Sequence, residues 1–131
     1  MRILWLGNAP MVGSGYGEQA GLFLPRLKAL GHDLAVACNY GIQGWKGDWD
    51  GLTLYPADND WGNSTLATFC ADHKADLVIA LCDAWVLQPE KWPQGLPPVA
   101  VWAPVDHEPC PPAVVNALAN PAITPIAMSR F

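Results

Sequence analysis

The sequence is poor in basic residues: seven lysines and arginines stand against twelve acidic residues, which gives a formal net charge of −5 at pH 7. Proteins that bind nucleic acid or anionic membrane surfaces usually present a basic face to them. The deficit of positive charge therefore argues against nucleic acid as a general partner. It leaves room for a local phosphate site, because backbone N–H groups at a helix N-terminus can form one.

The chain also lacks long apolar runs and closely spaced cysteines. No window approaches the about 18 apolar residues that a membrane-spanning helix needs, and no basic stretch followed by an apolar segment of signal-peptide length opens the chain. The four cysteines, Cys38, Cys70, Cys82 and Cys110, include no Cys-x-x-Cys pair. Because Cys38 and Cys82 lie within apolar runs, we expect free, buried thiols in a reducing compartment. These absences predict a soluble, cytoplasmic protein without a transmembrane segment.

Two familiar nucleotide-binding signatures are missing. The chain has no Gly-Lys-Ser/Thr tripeptide, which a P-loop requires. A dinucleotide fingerprint needs Gly-x-Gly-x-x-Gly directly after the first strand and an acidic residue near the end of the second. Here the glycines of residues 13–17 are spaced Gly-x-Gly-x-Gly, and the second predicted strand ends at Asn39. The sequence thus argues against an NAD-dependent dehydrogenase, and the absence of Gly-x-Ser-x-Gly argues against a serine hydrolase.

What is present is a regular alternation of strand-like and helical apolar patterns. Residues 2–6 form an apolar run, residues 7–17 hold a glycine-rich loop, and apolar residues then recur at helical spacing as far as Leu30. Short apolar runs predict further strands at 34–38, 52–55, 77–82, 99–102 and 123–128. Helices are predicted at 64–75 and from 111 or 112 to 118, and residues 39–50 are predicted to be loop. We therefore predict an α/β fold, a single Rossmann-like domain with a doubly wound parallel sheet in three α/β/α layers.

Polar residues follow two of the predicted strands. Asp83 comes directly after residues 77–82, and Asp106, His107 and Glu108 follow residues 99–102. In a parallel sheet these positions and the glycine-rich loop meet at one edge, where ligands of open α/β sheets bind. Three alternatives stay open. Asp83 can cap the turn at Ala84, His107 can be a solvated loop residue, and the three residues 106–108 can chelate a metal, although adjacent residues rarely do so together.

Three tryptophans, Trp45, Trp49 and Trp61, fall in predicted loops, where burial in a core does not account for them. Aromatic rings beside polar groups commonly stack on sugar faces, and exposed rings also form contacts between domains. Both explanations stay open from the sequence.

Several longer segments carry a family resemblance. The opening MRILWLGNAP, followed by GSGYGEQAGLFLPRLKALGHDLAV, and the later segments DLVIALCDAWVL, VWAPVDHEP and PIAMSRF resemble the N-terminal domain of GT-B glycosyltransferases of the glycosyltransferase family 4 kind. The similarity spans nearly all of residues 1–131. It implies half of a GT-B architecture, in which two Rossmann-like domains face each other across a cleft. The N-terminal domain of such enzymes mainly binds the acceptor, and the C-terminal domain mainly binds the nucleotide-sugar donor.

The resemblance also implies roles for particular residues. His107 is similar in position to the histidine that contacts the donor sugar near the reacting centre, so His107 and the adjacent Asp106 are the expected catalytic residues. Asp83 and Trp85 are candidates for acceptor contacts. The loop that approaches the donor diphosphate and the acceptor corresponds to Gly13, Ser14, Gly15, Tyr16 and Gly17. The resemblance implies no metal site and no organic cofactor, because the nucleotide-sugar is a substrate.

The expected function is therefore transfer of a sugar from a nucleotide-sugar to an unknown acceptor (a sugar, lipid or protein), with retention of anomeric configuration. We expect these residues to be the first domain of a longer protein whose C-terminal domain is absent here. Such a domain is expected to be inactive alone, because transfer needs donor and acceptor held in one geometry and the leaving phosphate stabilised. Two alternatives stay open: a stand-alone small α/β module that binds a ligand or partner without catalysis, and another α/β enzyme, such as a nucleotide-dependent transferase of a different class.

Overall fold

The computed structural model describes residues 1–129; Arg130 and Phe131, which end the MSRF segment, lie outside the described residues. Strands and helices alternate along the chain as β1 (Arg2–Asn8), α1 (Gly15–Ala29), β2 (Asp33–Tyr40), β3 (Gly47–Trp49), β4 (Leu52–Tyr55), α2 (Leu66–His73), β5 (Leu77–Leu81), β6 (Val99–Trp102), α3 (Pro112–Leu118) and β7 (Ile123–Ile126). The strands form one seven-stranded sheet in the order β3-β4-β2-β1-β5-β6-β7. Neighbouring strands are parallel except β3 and β4, which are antiparallel. The predicted Rossmann-like α/β fold is confirmed.

Helices cover both faces of the sheet, which explains why its central strands are continuously apolar. On β1, Leu4 and Leu6 belong to a core that includes α2, whereas Ile3 and Trp5 belong to a core that includes α1. A strand buried on both faces has no solvent side on which polar residues could alternate. Truncation of one of these side chains, for example Trp5→Ala, costs about 3–5 kcal/mol.

The first helix begins at a side-chain cap and ends at a glycine. Ser14 has extended backbone geometry, and its Oγ accepts a hydrogen bond from the Gly17 N–H at 3.1 Å. Glu18 lies in the first turn, where a negative charge interacts favourably with the helix dipole. The helix buries Leu24 and terminates before Gly31, whose φ of +86° suits glycine and turns the chain toward β2.

One predicted loop contains a strand. Residues 39–50 were expected to be loop throughout, but Gly47–Trp49 forms β3 and pairs with β4. Its three residues are too few to show an alternating pattern, although the Asp50-Gly51 dipeptide that follows is a strong hairpin signal. Both turn residues have positive φ, +51° and +74°. Trp49 is therefore half-buried and contacts the α1-side core, so the interpretation of Trp49 as a loop residue was wrong.

Two predicted elements are shorter than expected. The helix predicted at 64–75 spans Leu66–His73, because Lys74 adopts a left-handed φ of +55° and ends it. The last strand ends at Ile126 rather than at residue 128, since its partner β6 ends at Trp102 in the same register.

The four cysteines are free thiols, and three of them are buried. Cys38 and Cys82 are free and buried as predicted. Burial raises the pKa of both thiols to about 12 and that of Cys70 to about 11, so these three are protonated at neutral pH. In the part of the chain that the structure describes, no helix combines the length and the apolar content needed to cross a membrane.

Candidate functional site

The candidate site lies at the carboxyl edge of the sheet, where the loops after β1, β5 and β6 meet. The loop after β1 is the glycine-rich one. Asn8 ends β1 and donates from Nδ2 to the Ser14 Oγ at 2.9 Å, so the cap of α1 is anchored to the strand. Within the loop, the Val12 N–H donates to the Ala9 carbonyl at 3.0 Å and the Ser14 N–H to the Val12 carbonyl at 2.8 Å. These bonds hold the N-terminus of α1 directly above β1.

The three glycines of this loop differ in what surrounds them. A Cβ on Gly17 would lie 2.2 Å from the Val12 carbonyl oxygen, so only glycine fits there. Apart from the adjoining residues and the backbone of the helix itself, no heavy atom lies within 4 Å of the position a Cβ would take on Gly13 or Gly15, and neither has a positive φ. Packing therefore accounts for Gly17, whereas Gly13 and Gly15 border open space at the start of the helix.

The first turn of α1 also has unpaired amides. The first N–H groups of any helix have no partner within it, and Ser14 satisfies only that of Gly17 by its side chain. The N–H groups of Gly15 and Tyr16 are thus left for solvent or a ligand. With the partial positive charge of the helix N-terminus, they form an arrangement that suits an anionic oxygen.

Tyr16 connects the glycine-rich loop to the end of β5. Its hydroxyl donates to Asp83 Oδ1 at 2.8 Å. Burial, and then the hydrogen bond to Asp83, raise the pKa of the Tyr16 phenol well above its usual value, so the hydroxyl remains a donor. Asp83 makes no side-chain cap bond to the 3₁₀ turn at Ala84–Val86, so the alternative of a capping aspartate is wrong.

A pocket of about 230 Å³ adjoins Asp83. It contains four of the residues that the sequence singled out, namely Asp83, Trp85, Asp106 and His107. The rest of its lining is apolar and comes from the ends of the same loops and from α3: Ala84, Pro104, Val105, Pro111, Ala113 and Val114. The glycine-rich loop is not part of this lining; Tyr16 joins it to the pocket through Asp83.

Asp106 and His107 form a hydrogen-bonded pair on the open side of the pocket. Asp106 Oδ1 lies 2.5 Å from His107 Nδ1, which orients the imidazole and leaves Nε2 for a ligand. Their side chains are 83% and 69% exposed, so the alternative of a solvated histidine stays open. Among residues 1–129, no group of three or more His, Cys, Asp or Glu side chains is arranged to hold a metal ion.

Sequence reasoning missed one residue that organises the site. Asn63 is 5% exposed, and its Nδ2 donates to the Val86 carbonyl at 3.0 Å. Its Oδ1 accepts from the Gln88 N–H at 2.8 Å and from the Trp92 Nε1–H at 3.1 Å. Asn63 therefore fixes the segment that carries Trp85, from a loop that the sequence showed only as polar and turn-like.

No family model matches the chain, and no curated protein matches it in sequence. Its function must therefore be argued from the arrangement of these side chains.

Proposed function

We propose that this chain is the acceptor-side, N-terminal domain of a GT-B glycosyltransferase that moves a sugar from a nucleotide-sugar to an acceptor with retention of configuration. One observation carries the proposal: Asp83, Trp85, Asp106 and His107 share a pocket at the carboxyl edge, and Tyr16 ties that pocket to the glycine-rich N-terminus of α1. The N-terminus of α1, which suits phosphate oxygens, thus lies next to a pocket whose side chains suit sugar hydroxyls.

The N-terminus of α1 would face the donor diphosphate. Its unpaired amides and its dipole favour phosphate oxygens without a lysine or arginine. The open space beside Gly13 and Gly15 leaves room for a large group next to the start of this helix. Helix dipole and basic side chains on the opposite domain would stabilise the leaving phosphate, so the proposed reaction uses neither a metal ion nor an organic cofactor.

The pocket would bind the acceptor and the transferred sugar. Asp83 uses Oδ1 for Tyr16, which leaves its second carboxylate oxygen to accept from a hydroxyl group. Asp106 orients His107 through Nδ1, and Nε2 would contact the donor sugar near the reacting carbon. Each of these groups binds or orients a hydroxyl, as positioning of two sugar substrates requires.

The solvent exposure of the pair Asp106–His107 supports a second domain that covers it. Transfer to an acceptor must exclude water, because water competes as a nucleophile. Side chains that are 83% and 69% exposed cannot do this alone. A second Rossmann-like domain closing over this edge would cover them and supply most donor contacts. The four free cysteines fit a cytoplasmic location for the assembled enzyme.

The test uses the protein purified from its native cells with an antibody against this chain. We expect a mass about two to three times that of the 14.1 kDa chain, and transfer from one member of a panel of nucleotide-sugars. His107→Ala should lower kcat by about a hundredfold or more without changing Tm. His73→Ala is the matched control, because His73 lies at the amino edge, with Nε2 3.3 Å from the Asp33 carbonyl.

The competing function is a stand-alone binding module without catalysis. The exposed indole of Trp85, 58% accessible beside the pocket, favours it, because such a ring suits ligand binding whether or not chemistry follows. A native mass of 14.1 kDa together with no turnover of any nucleotide-sugar would favour this module and contradict the glycosyltransferase.

A further inference from the structure

Two tryptophans are exposed on adjoining loops of the carboxyl edge. Trp85 is 58% exposed and lines the pocket beside Asp83 and Asp106. Trp61 is 47% exposed and lies in the loop between β4 and α2. An indole contributes a large apolar area, so leaving two of them half in water at one edge of a small domain calls for an explanation.

Trp61 is also held in a backbone conformation that its side chain disfavours. Its φ is +61°, in the left-handed region that bulky residues rarely occupy. The loop fixes it from both sides, because Asp58 Oδ1 accepts from the Asp60 N–H at 3.1 Å and from the Gly62 N–H at 2.8 Å. Glycine would adopt this φ without strain, so a tryptophan here costs the fold stability. Such strain at an exposed position points to a functional side chain.

The two loops are joined by a buried side chain. Asn63, two residues after Trp61, donates to the carbonyl of Val86, the neighbour of Trp85, at 3.0 Å. Asn63 also accepts from the Gln88 N–H at 2.8 Å. The backbone segments that carry the two rings are therefore held in a fixed relation, as a preorganised binding surface requires.

We propose that Trp85 and Trp61 form a stacking surface for a carbohydrate acceptor of two or more pyranose units; this rests on the proposed function and names the class of its acceptor. The apolar C–H face of a pyranose packs against an indole ring, while its hydroxyls project at the rim. Asp83 and Asp106 lie beside Trp85 to accept from those hydroxyls. The unit that receives the new sugar binds at Trp85, and the rest of the chain extends over Trp61.

The charges at this edge favour a carbohydrate over a lipid acceptor. The pocket next to Trp85 contains two carboxylates, and the whole chain carries a formal charge of −5. Both features repel an anionic membrane surface or a phospholipid headgroup. Neutral sugar hydroxyls, in contrast, donate to carboxylates in charge-assisted hydrogen bonds.

The test measures binding of the 131-residue chain to an array of immobilised glycans and then titrates its tryptophan fluorescence with the bound mono- and oligosaccharides. We expect Trp85→Ala to weaken oligosaccharide binding by about tenfold, the upper range for one stacked ring. Trp61→Gly should remove the preference for an oligosaccharide over its monosaccharide, and Trp61→Phe should restore most of it. Glycine suits the φ of +61°, so Trp61→Gly keeps the loop folded.

Trp45→Ala is the matched control for Trp85→Ala. Trp45 is 70% exposed but precedes β3, at the opposite end of the strand order from the pocket. Its removal should leave the affinity for a monosaccharide at the Trp85 pocket unchanged within about twofold, since this indole is more exposed than that of Trp85 but lies at the far end of the strand order from it.

Three outcomes would overturn the inference: no glycan binds, glycan binding survives loss of both rings, or vesicles containing anionic phospholipid compete for Trp85. If no glycan on the array binds but the native protein transfers a sugar to a lipid or a protein, this inference is wrong and the proposed function is still supported. Glycan binding that depends on both rings, in a native protein without any transfer activity, would support the surface and contradict the transferase.

Discussion

The Tyr16 hydroxyl lies 2.8 Å from Asp83 Oδ1, across 67 residues of sequence. This one hydrogen bond joins the first turn of α1, where an anion would bind, to the end of β5, where the pocket begins. The two parts of the proposed site therefore cannot move independently without breaking it. Asn63 makes a comparable connection on the other side, between the loop of Trp61 and the segment of Trp85.

Removal of the Tyr16 hydroxyl should weaken the fold. A hydrogen bond to a carboxylate contributes about 1.5–3 kcal/mol, so we expect Tyr16→Phe to lower the free energy of unfolding by about that amount in urea denaturation. Tyr40→Phe is the control, because Tyr40 is exposed at the end of β2. Equal stability of Tyr16→Phe and the wild type would show that the hydrogen bond has no energetic role.

Stability should fall at alkaline pH, in part through two tyrosines. Burial and a hydrogen bond to a carboxylate, Asp83 for Tyr16 and Asp72 for Tyr55, raise both phenol pKa values well above the usual one. The stability that these phenols contribute is complete below the unfolded pKa of about 10. It is lost as pH rises further, because the unfolded chain releases these protons first.

The measurement is urea unfolding of the wild type and of Tyr16→Phe between pH 8 and pH 11. We expect the wild type to lose stability more steeply than the variant above pH 10. Comparison with the variant removes the contribution of the buried thiols, whose pKa values burial also raises. If the unfolding free energies of the wild type and of Tyr16→Phe fell in parallel with pH, this would contradict the raised pKa of Tyr16.

The architecture could be predicted because its central strands are buried on both faces. A run such as residues 3–6 has no polar side to obscure it, and the same holds for much of β2 and β5. The strand β3 was missed because three residues show no period, although Asp50-Gly51 marked its hairpin. Local pattern thus predicted long, buried elements and failed on a short edge strand.

The pocket residues could be predicted for a topological reason. Asp83, Asp106 and His107 follow parallel strands, and parallel strands end at one edge. The role of Asn63 could not be predicted, since its partners are 23, 25 and 29 residues away and depend on how the loop crosses the edge. The bond from Tyr16 to Asp83 is likewise a product of tertiary structure and not of spacing.

Substitutions of two glycines in the loop after β1 should have different effects: Gly17→Ala should destabilise the fold, whereas Gly13→Ala should not. Gly17→Ala places a Cβ 2.2 Å from the Val12 carbonyl, so the backbone must move; we expect a loss of about 3 kcal/mol or more in urea denaturation. Gly13→Ala meets no atom and should leave the unfolding free energy within about 0.5 kcal/mol of wild type.

Under the proposed function, Gly13→Ala should nevertheless weaken nucleotide-sugar binding by the native protein, measured by calorimetry. The added methyl occupies space next to the start of α1, where the diphosphate would bind. A Gly13→Ala protein with unchanged affinity would show that the ligand does not approach the loop from this side. Gly17→Ala as stable as the wild type would contradict the close contact with Val12.

Cysteine alkylation should distinguish the buried thiols from Cys110. Burial raises the pKa of Cys38, Cys70 and Cys82 to about 12, 11 and 12, so little thiolate forms at pH 8 and access is blocked. Cys110 is half-buried in the loop before α3. Native protein treated with iodoacetamide at pH 8 should gain one adduct, on Cys110, by mass spectrometry, and four in urea. Rapid labelling of Cys82 would contradict its burial behind Asp83.

Trp61 offers a test of whether the fold carries strain for the sake of an exposed ring. Both Trp61→Ala and Trp61→Gly remove the indole, but only glycine occupies a φ of +61° without a steric penalty. We therefore expect the glycine variant to be more stable than the alanine variant by about 1 kcal/mol in urea denaturation, the reverse of the order usual at ordinary backbone positions. Lys74, with a φ of +55° at the end of α2, provides the control, because Lys74→Gly and Lys74→Ala should differ in the same sense at a site far from the pocket.

An alanine variant at position 61 as stable as the glycine variant would mean that the loop relaxes when the ring is removed. The ring itself would then hold the backbone in the left-handed conformation through its own contacts, and the strain would be no argument for a ligand.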